Sequence, residues 1–485
     1  MTTDHTFPHQ NRFLLWLLLF FLAISPIGYS ITIDEVFELA GMFHLRADEH
    51  GVYWGPGARV GLHSPLWQLS IGVDFVNDDV WRPQEGWMPD GFYWDLLYSY
   101  VQFFPGPFTL EGGFIPATHL YSQNPFAMIL DGAGKPALGA AYTYQGRLFT
   151  FQNRWIGLNS DSPFTYGYGE DPGSIPGSPR DSRWQDRGFY HRLYTLNLGN
   201  LRLGYQESSI SMGRYFDPNF FLNPAPSILV NTIWSQGNNP WVHRHNDASF
   251  MGFYADYTAE QFRLEGEFMI MDVNLPFGYP DNLNKFGWSF GGSLATNLGN
   301  FAFWHGGATK HMFAATYTSS SNPNLHPYEY TYFPVSRLGG RDIPLESNYI
   351  GFPYGENALA FQIEWDNQFT PGAISVDQGV SFRYVLSGSK SPHNPWHEDS
   401  SWRDIDRKTE LFHGDSILEH RLLLESSTTL RYRNFFSTIQ LGLGGIINPL
   451  QLVEQGTDPP IWKPLAGTRN MSFLRLTLGY SFNLP

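Results

Sequence analysis

The chain closes on Leu474-Arg-Leu-Thr-Leu-Gly-Tyr-Ser-Phe482, and no other stretch constrains the fold as much. Leu474, Leu476, Leu478, Tyr480 and Phe482 share one face, while Arg475, Thr477, Gly479 and Ser481 share the other. A period of two residues is that of a β-strand with one apolar face. The only run of membrane-helix character is Phe13 to Ile24, near the other end. That run is too short to cross a bilayer core of about 30 Å as a helix. It follows Arg12 and precedes Gly28 and Ser30, the layout of a signal peptide with Ile31 as the mature start. An exported chain whose apolar segments are strands is expected to be an outer-membrane β-barrel. Residues 1–30 are therefore read as a signal peptide and 31–485 as a transmembrane antiparallel β-barrel of about 16–20 strands. The location expected is the outer membrane of a Gram-negative-type bacterium, with outer-membrane lipid as one partner. The aromatic-ended last strand, followed here by Asn483-Leu-Pro485, is the element expected to engage the barrel insertion machinery.

Further alternating segments support this. In Trp67 to Phe75, Trp67, Leu69, Ile71, Val73 and Phe75 alternate with Gln68, Ser70, Gly72 and Asp74. In Phe262 to Ile270, the apolar set Phe262, Leu264, Phe268 and Ile270 faces away from Arg263, Glu265 and Glu267. Leu359 to Asp366 behaves likewise. Candidate strands are 66–75, 93–103, 107–114, 138–144, 147–157, 189–198, 201–211, 248–258, 260–271, 286–296, 299–306, 358–367, 375–386, 417–426, 429–444 and 472–482. A soluble β-sandwich alternates in the same way, but the leader and the closing strand favour a barrel. Helical patterning is scarce: Ile33 to Ala40 is read as one short amphipathic helix, with Val36, Phe37 and Ala40 as its apolar patch and Gly41 as its stop.

Composition sets limits on function. Aromatics make up 17% of the chain, with 16 Trp, 26 Tyr and 40 Phe, as suits a barrel with aromatic girdles. Cys is absent, so neither disulfides nor Cys-type metal clusters are available. A formal net charge of −15 argues against nucleic acid as a partner. The long connections 161–187, 224–246, 319–354 and 387–415 are rich in Pro, Gly and Asn yet carry Trp, Tyr and Phe, as loops that fold back and pack would.

A family resemblance enters in the central segment. His191-Arg-Leu193 is followed by Leu201-Arg-Leu-Gly204 and Glu207, then Met212-Gly-Arg214, Phe221-Leu-Asn-Pro224, His245-Asn-Asp247 and Arg263 to Ile270 with Asp272. In this order the segments resemble the Wzi-type capsule assembly family over about residues 107–275. Gly112 to Leu120 and Pro136-Ala-Leu138 stand where that family has a tryptophan-glycine-proline-glycine segment. The motif is missing there, and Trp54-Gly-Pro-Gly57 occurs earlier in the chain. The resemblance implies an outer-membrane barrel, closed by loops, that holds or assembles surface polysaccharide without catalysing a reaction. The alternative is an outer-membrane porin or substrate-specific diffusion channel.

Two groups of residues are candidates for function. Trp241-Val-His-Arg-His-Asn-Asp247 is the densest polar and aromatic cluster. Trp241 could stack on a pyranose face while Arg244 and Asp247 bond hydroxyls or a uronate, with His243 and His245 on one strand face. The competing reading is a loop turn packed by its Trp. The second group is a lumenal row of Arg263, Glu265 and Glu267, joined by Arg154 and Arg202 on neighbouring strands. Such a row constricts a barrel, sets its selectivity, or simply fills a wet interior. No zincin, serine-hydrolase or phosphate-loop pattern occurs, and Asp404 and Asp406 lie in a charged loop with Arg403 and Arg407. His420 beside Glu419 has no second His nearby. The expectation is therefore a non-enzymatic barrel with no cofactor and no metal.

Overall fold

The computed structural model describes residues 36–48, 51–76, 93–130, 136–159, 187–212, 215–227, 248–272, 284–313, 337–338, 341–342, 345–390, 410–455 and 458–484. Eighteen strands form one sheet. The first six are β1 Val36–Asp48, β2 Gly51–His63, β3 Trp67–Val76, β4 Tyr93–Phe103, β5 Phe108–Pro116 and β6 Pro136–Gln145. Then come β7 Phe149–Asn159, β8 Arg187–Leu198, β9 Leu201–Met212, β10 Ala248–Thr258, β11 Phe262–Asp272 and β12 Lys285–Thr296. The last six are β13 Gly299–Ala308, β14 Ala358–Phe369, β15 Ser375–Ser387, β16 Glu419–Tyr432, β17 Phe435–Ile447 and β18 Thr468–Leu484. Each pairs antiparallel with its sequence neighbour, and β18 pairs with β1 from Phe37↔Leu484 to Asp48↔Phe473. The sheet is a closed antiparallel barrel, which leaves no strand edge unpaired in lipid.

The alternation translates directly into an inside and an outside. Large apolar side chains such as Phe253, Leu264, Ile363, Leu441 and Leu478 are exposed on the outer wall, while Glu265, Gln362 and Gln206 are buried inside. A soluble protein does not present such a belt; a barrel in lipid requires it. One row of the belt is aromatic from β5 to β12: Phe108, Tyr144, Phe151, Tyr194, Tyr205, Phe253, Phe268 and Trp288 are successive register partners. Their rings meet, for example Phe151 and Tyr194 at 4.9 Å and Phe108 and Tyr144 at 5.2 Å. Because strands of a closed barrel tilt, this row winds from the start of β5 to the opposite end of the wall at β12.

The connections 64–66, 104–107, 146–148, 199–200, 259–261, 297–298, 370–374 and 433–434 are short and share one end. The long connections lie at the other end, which in outer-membrane barrels is extracellular. Within them sit two hairpins, Arg337–Leu338 with Arg341–Asp342 and Leu450–Gln455 with Asp458–Pro464, and two short helices, α1 Pro218–Leu222 and α2 Leu345–Asn348.

The N-terminal helix expected over Ile33–Ala40 is not found. Val36 to Ala40 open β1, and residues 33–35 lie outside the described residues. Phe37, Leu39, Phe43 and Leu45 continue a period of two well beyond Ala40, and both edges of β1 are needed for closure. A helical reading of eight residues stops before that alternation becomes visible.

Candidate functional site in the barrel lumen

After β5, the chain turns inward instead of crossing to β6 over the rim. Residues 117–130 enter the lumen, and Ala117, Phe126, Met128, Ile129 and Leu130 are fully buried there. They share an apolar core with Ile350, Phe352 and Tyr354 from the connection between β13 and β14, and with inward side chains such as Ile156, Phe189, Met269 and Trp304. The wall is shaped to receive them. A Cβ at Gly306 would lie 2.6 Å from the Cβ of Phe126, and one at Gly287 would lie 2.8 Å from the sulfur of Met128.

The inward segment has no regular secondary structure, so its backbone amides need acceptors inside a buried site. The wall carboxylates supply them. Glu265 accepts the amides of Gln123 at 3.1 Å and Asn124 at 2.8 Å, and the Ser122 hydroxyl at 2.6 Å. Glu267 accepts the amides of Met128 at 2.7 Å and Ile129 at 3.1 Å. Arg263 balances the charge, with Nη2 lying 2.9 Å from Glu265 and donating to the Tyr121 carbonyl at 2.5 Å. Arg154 bridges Glu111 at 2.7 Å and the Pro116 carbonyl at 2.8 Å, where the segment begins. Arg202 pairs with Asp256 at 2.8 Å and lies 3.6 Å above the ring of Tyr121. All five charged residues singled out from the sequence thus face the lumen, and each one touches the inward segment or anchors its start.

Sequence reasoning missed the centre of this network. His119 Nδ1 accepts the amides of Tyr121 and Ser122 at 3.2 and 2.8 Å, which leaves the proton on Nε2 to donate to Gln206 Oε1 at 3.0 Å. Gln206 Nε2 in turn donates to Glu267 at 2.6 Å. Burial, reinforced by Arg154, Arg202 and Arg263, pushes the imidazole of His119 down to about 4, so it is neutral at pH 7. His119 lies within Gly112–Leu120, the segment that carried part of the family resemblance, but a single His in a loop gives no signal of its role.

A second feature lies on the wall formed by β14 to β18. A cavity of about 310 Å³ is lined by Glu364, Asp366, Ser381, Glu425, Gln440 and Arg475, among others. Arg475 stands directly opposite Arg46 across the β18–β1 pair; Arg46 is bound by Asp48 at 2.8 Å, and Arg475 lies over the ring of Phe473. Carboxylate, amide, hydroxyl and guanidinium groups in one cavity can bond a polyhydroxylated or charged solute. Trp241, His243, Arg244, His245 and Asp247 lie outside the described residues.

A closed barrel of eighteen antiparallel strands with an apolar outer belt is an outer-membrane protein of the Gram-negative type. Among solved structures, it is similar to Wzi of Escherichia coli, described as an outer-membrane protein involved in group 1 capsule assembly and a carbohydrate-binding β-barrel. The two are 10% identical, covering 99% of this chain and 90% of that one, with a TM-score of 0.50. It is also similar to the Pseudomonas aeruginosa proteins OccD3 (12% identity, 93% and 92% coverage, TM-score 0.44) and OprD (10% identity, 93% and 96% coverage, TM-score 0.43). At these identities the likeness is one of fold. No protein-family model and no curated protein matches the chain.

Proposed function

We propose that this protein is a closed, non-enzymatic barrel of the Wzi-type capsule assembly kind, which assembles or retains surface polysaccharide at the outer membrane. The observation that carries the reading is the inward segment 117–130. Its backbone takes up the carboxylates of Glu265 and Glu267, and its apolar side chains join a core with the wall. A diffusion channel uses lumenal charges to line a water column; here they hold a plug. Wzi, which has the same fold, is described as a carbohydrate-binding barrel in capsule assembly. In this reading, the glycan contacts are Trp241, His243, Arg244, His245 and Asp247. Trp241 stacks on a sugar face, and the polar groups bond hydroxyls or a uronate. Residues 1–30 are the exported chain's signal peptide, and β18 engages the insertion machinery.

Purified barrel exposed to acidic capsular polysaccharide should bind it, and Trp241→Ala should weaken binding about tenfold, the scale of one lost stacking contact. Absence of binding to any of a panel of surface polysaccharides would refute the reading. One observation favours a second reading, that of a substrate-specific channel: the cavity that holds Arg475 and Glu364. That reading predicts saturable uptake of a small charged solute, lost in Arg475→Ala.

A further inference from the structure

The outer wall of β7, β8 and β9 departs from the apolar pattern of the neighbouring strands β10 and β11. Asn153, Arg192 and Glu207 point outward, opposite to Arg154, His191 and Gln206, yet all three are buried. What buries them is residues 215–227, the first described part of the connection after β9, folded down against the outside of the barrel. Arg192 Nη1 lies 3.3 Å from Glu207 and donates to the Ala225 carbonyl at 2.5 Å and the Ser227 hydroxyl at 3.0 Å. Its Nη2 donates to the Phe220 carbonyl, and the guanidinium stacks on the Phe220 ring at 4.4 Å. Glu207 also accepts the Ser227 amide and the Tyr205 hydroxyl. Asn153 donates to the Phe221 carbonyl, and Trp155 donates to the Tyr215 carbonyl at 2.7 Å. A second apolar core of Trp155, Tyr190, Phe220 and Phe221 therefore lies on the outside of the strands whose inner face carries the plug. Outward Gly157 and Gly188 make room for it: a Cβ at either would lie 2.2 or 2.4 Å from atoms of Tyr215.

The height of this patch decides its meaning. Asn153, Arg192, Glu207, Met251 and Ile270 are successive register partners from β7 to β11. On β10 and β11 the row is apolar and belongs to the lipid-facing belt; on β7 to β9 it is polar only where residues 215–227 cover it. It also lies one outward step from Phe151, Tyr194 and Tyr205 of the aromatic row. Among the described side chains of the covering segment, the exposed ones are apolar: Leu222, 67% exposed, Pro218 and Pro224.

We infer that residues 217–224 are a lipid-facing strap. In this sector the acyl chains of the bilayer meet Leu222 and its prolines, and the strap seals the Arg192–Glu207 pair from hydrocarbon. The occupant is membrane lipid because the strap's outer face continues the row of the belt on β10 and β11. The strap also tethers, at the level of the membrane, the connection that continues to Trp241–Asp247.

The chain has no Cys, so single cysteines report without background. Leu222→Cys, the belt control Leu443→Cys and the lumen control Ser427→Cys are labelled with an environment-sensitive fluorophore. Each is reconstituted in phosphatidylcholine vesicles containing acyl-chain doxyl lipid, with heat-modifiable gel mobility confirming the fold. Doxyl quenching at 222 should fall within about twofold of that at 443, and iodide quenching should be several-fold weaker than at 427. Iodide quenching equal to the lumen control, with no doxyl quenching, would overturn the inference. Protection from both quenchers with energy transfer between labelled copies would also overturn it, in favour of a second copy as the occupant.

Discussion

Glu267 on the barrel wall holds Met128 of the inward segment through a 2.7 Å bond from the Met128 amide. The same carboxylate receives Ile129 and Gln206, so one side chain joins plug, wall and the His119 network. Removing both plug carboxylates leaves the amides of Gln123, Asn124, Met128 and Ile129 without their acceptors in a buried site. Each unmet donor costs about 1–3 kcal/mol. The double variant Glu265→Ala/Glu267→Ala should therefore keep its barrel, seen as unchanged heat-modifiable mobility, but lose the packed plug. Proteolysis of intact vesicles should then cut within 117–130 at least tenfold faster.

Acid should weaken the hold of His119 on the same network. His119 has a value near 4 when packed, against 6.5 when free. A withdrawn segment therefore binds more protons than a packed one between these limits. The contribution of His119 to packing is full above about pH 6.5 and falls by up to about tenfold in equilibrium constant per pH unit below it, levelling off near pH 4. Across that window acid should raise the protease sensitivity of residues 117–130 more in the unmodified chain than in His119→Gln. An identical pH profile in the variant would show that other groups carry the effect.

Glycine at the plug contact separates packing from general barrel stability. Gly306→Ala puts a methyl 2.6 Å from the Cβ of Phe126, whereas Gly266→Ala, on the outer face, meets nothing closer than 3.7 Å. Overpacking of this kind costs about 1–3 kcal/mol. Gly306→Ala should lower the plug's resistance to proteolysis by about tenfold or more, while Gly266→Ala should leave it unchanged.

Adjacent positions on β17 test the inside and the outside. Ile439 is exposed on the belt, and Thr438 faces the lumen, 2.9 Å from Thr429. An arginine in lipid costs about 2–4 kcal/mol near the midplane. Ile439→Arg should cut outer-membrane yield severely, and Thr438→Arg should leave yield near that of the unmodified chain. The opposite ranking would reverse the facing of the strand.

Much of the barrel was legible because strand alternation is local. Phe262 to Ile270 and Leu359 to Asp366 face as their sequence implies, and the strand count fell within the range read. The first two strands were not legible. β1 was hidden by a window compatible with helix, and β2 by Gly51, Gly55, Pro56, Gly57 and Gly61. Pro56 stands opposite Phe43 of β1, and β2 pairs with β3 only from Gly57 onward. The β16–β17 turn falls at 433–434 instead of 427–428, since Ser426 to Thr429 resemble a turn but continue a ladder. Of the site, alternation gave the inward row of Arg263, Glu265 and Glu267. Their partners in 117–130 were invisible, since an irregular segment satisfied by carboxylates more than a hundred residues away leaves no periodic trace. The Arg192–Glu207 pair was equally hidden, because alternation alone places both residues in lipid.

Residues 117–130 are expected to close the lumen, and single-channel recording in planar bilayers reads this out. The purified barrel should insert without a steady open-channel current, and Glu265→Ala/Glu267→Ala should conduct stably in the same membrane. A large, constant conductance from the unmodified protein, unchanged in the double variant, would contradict the claim.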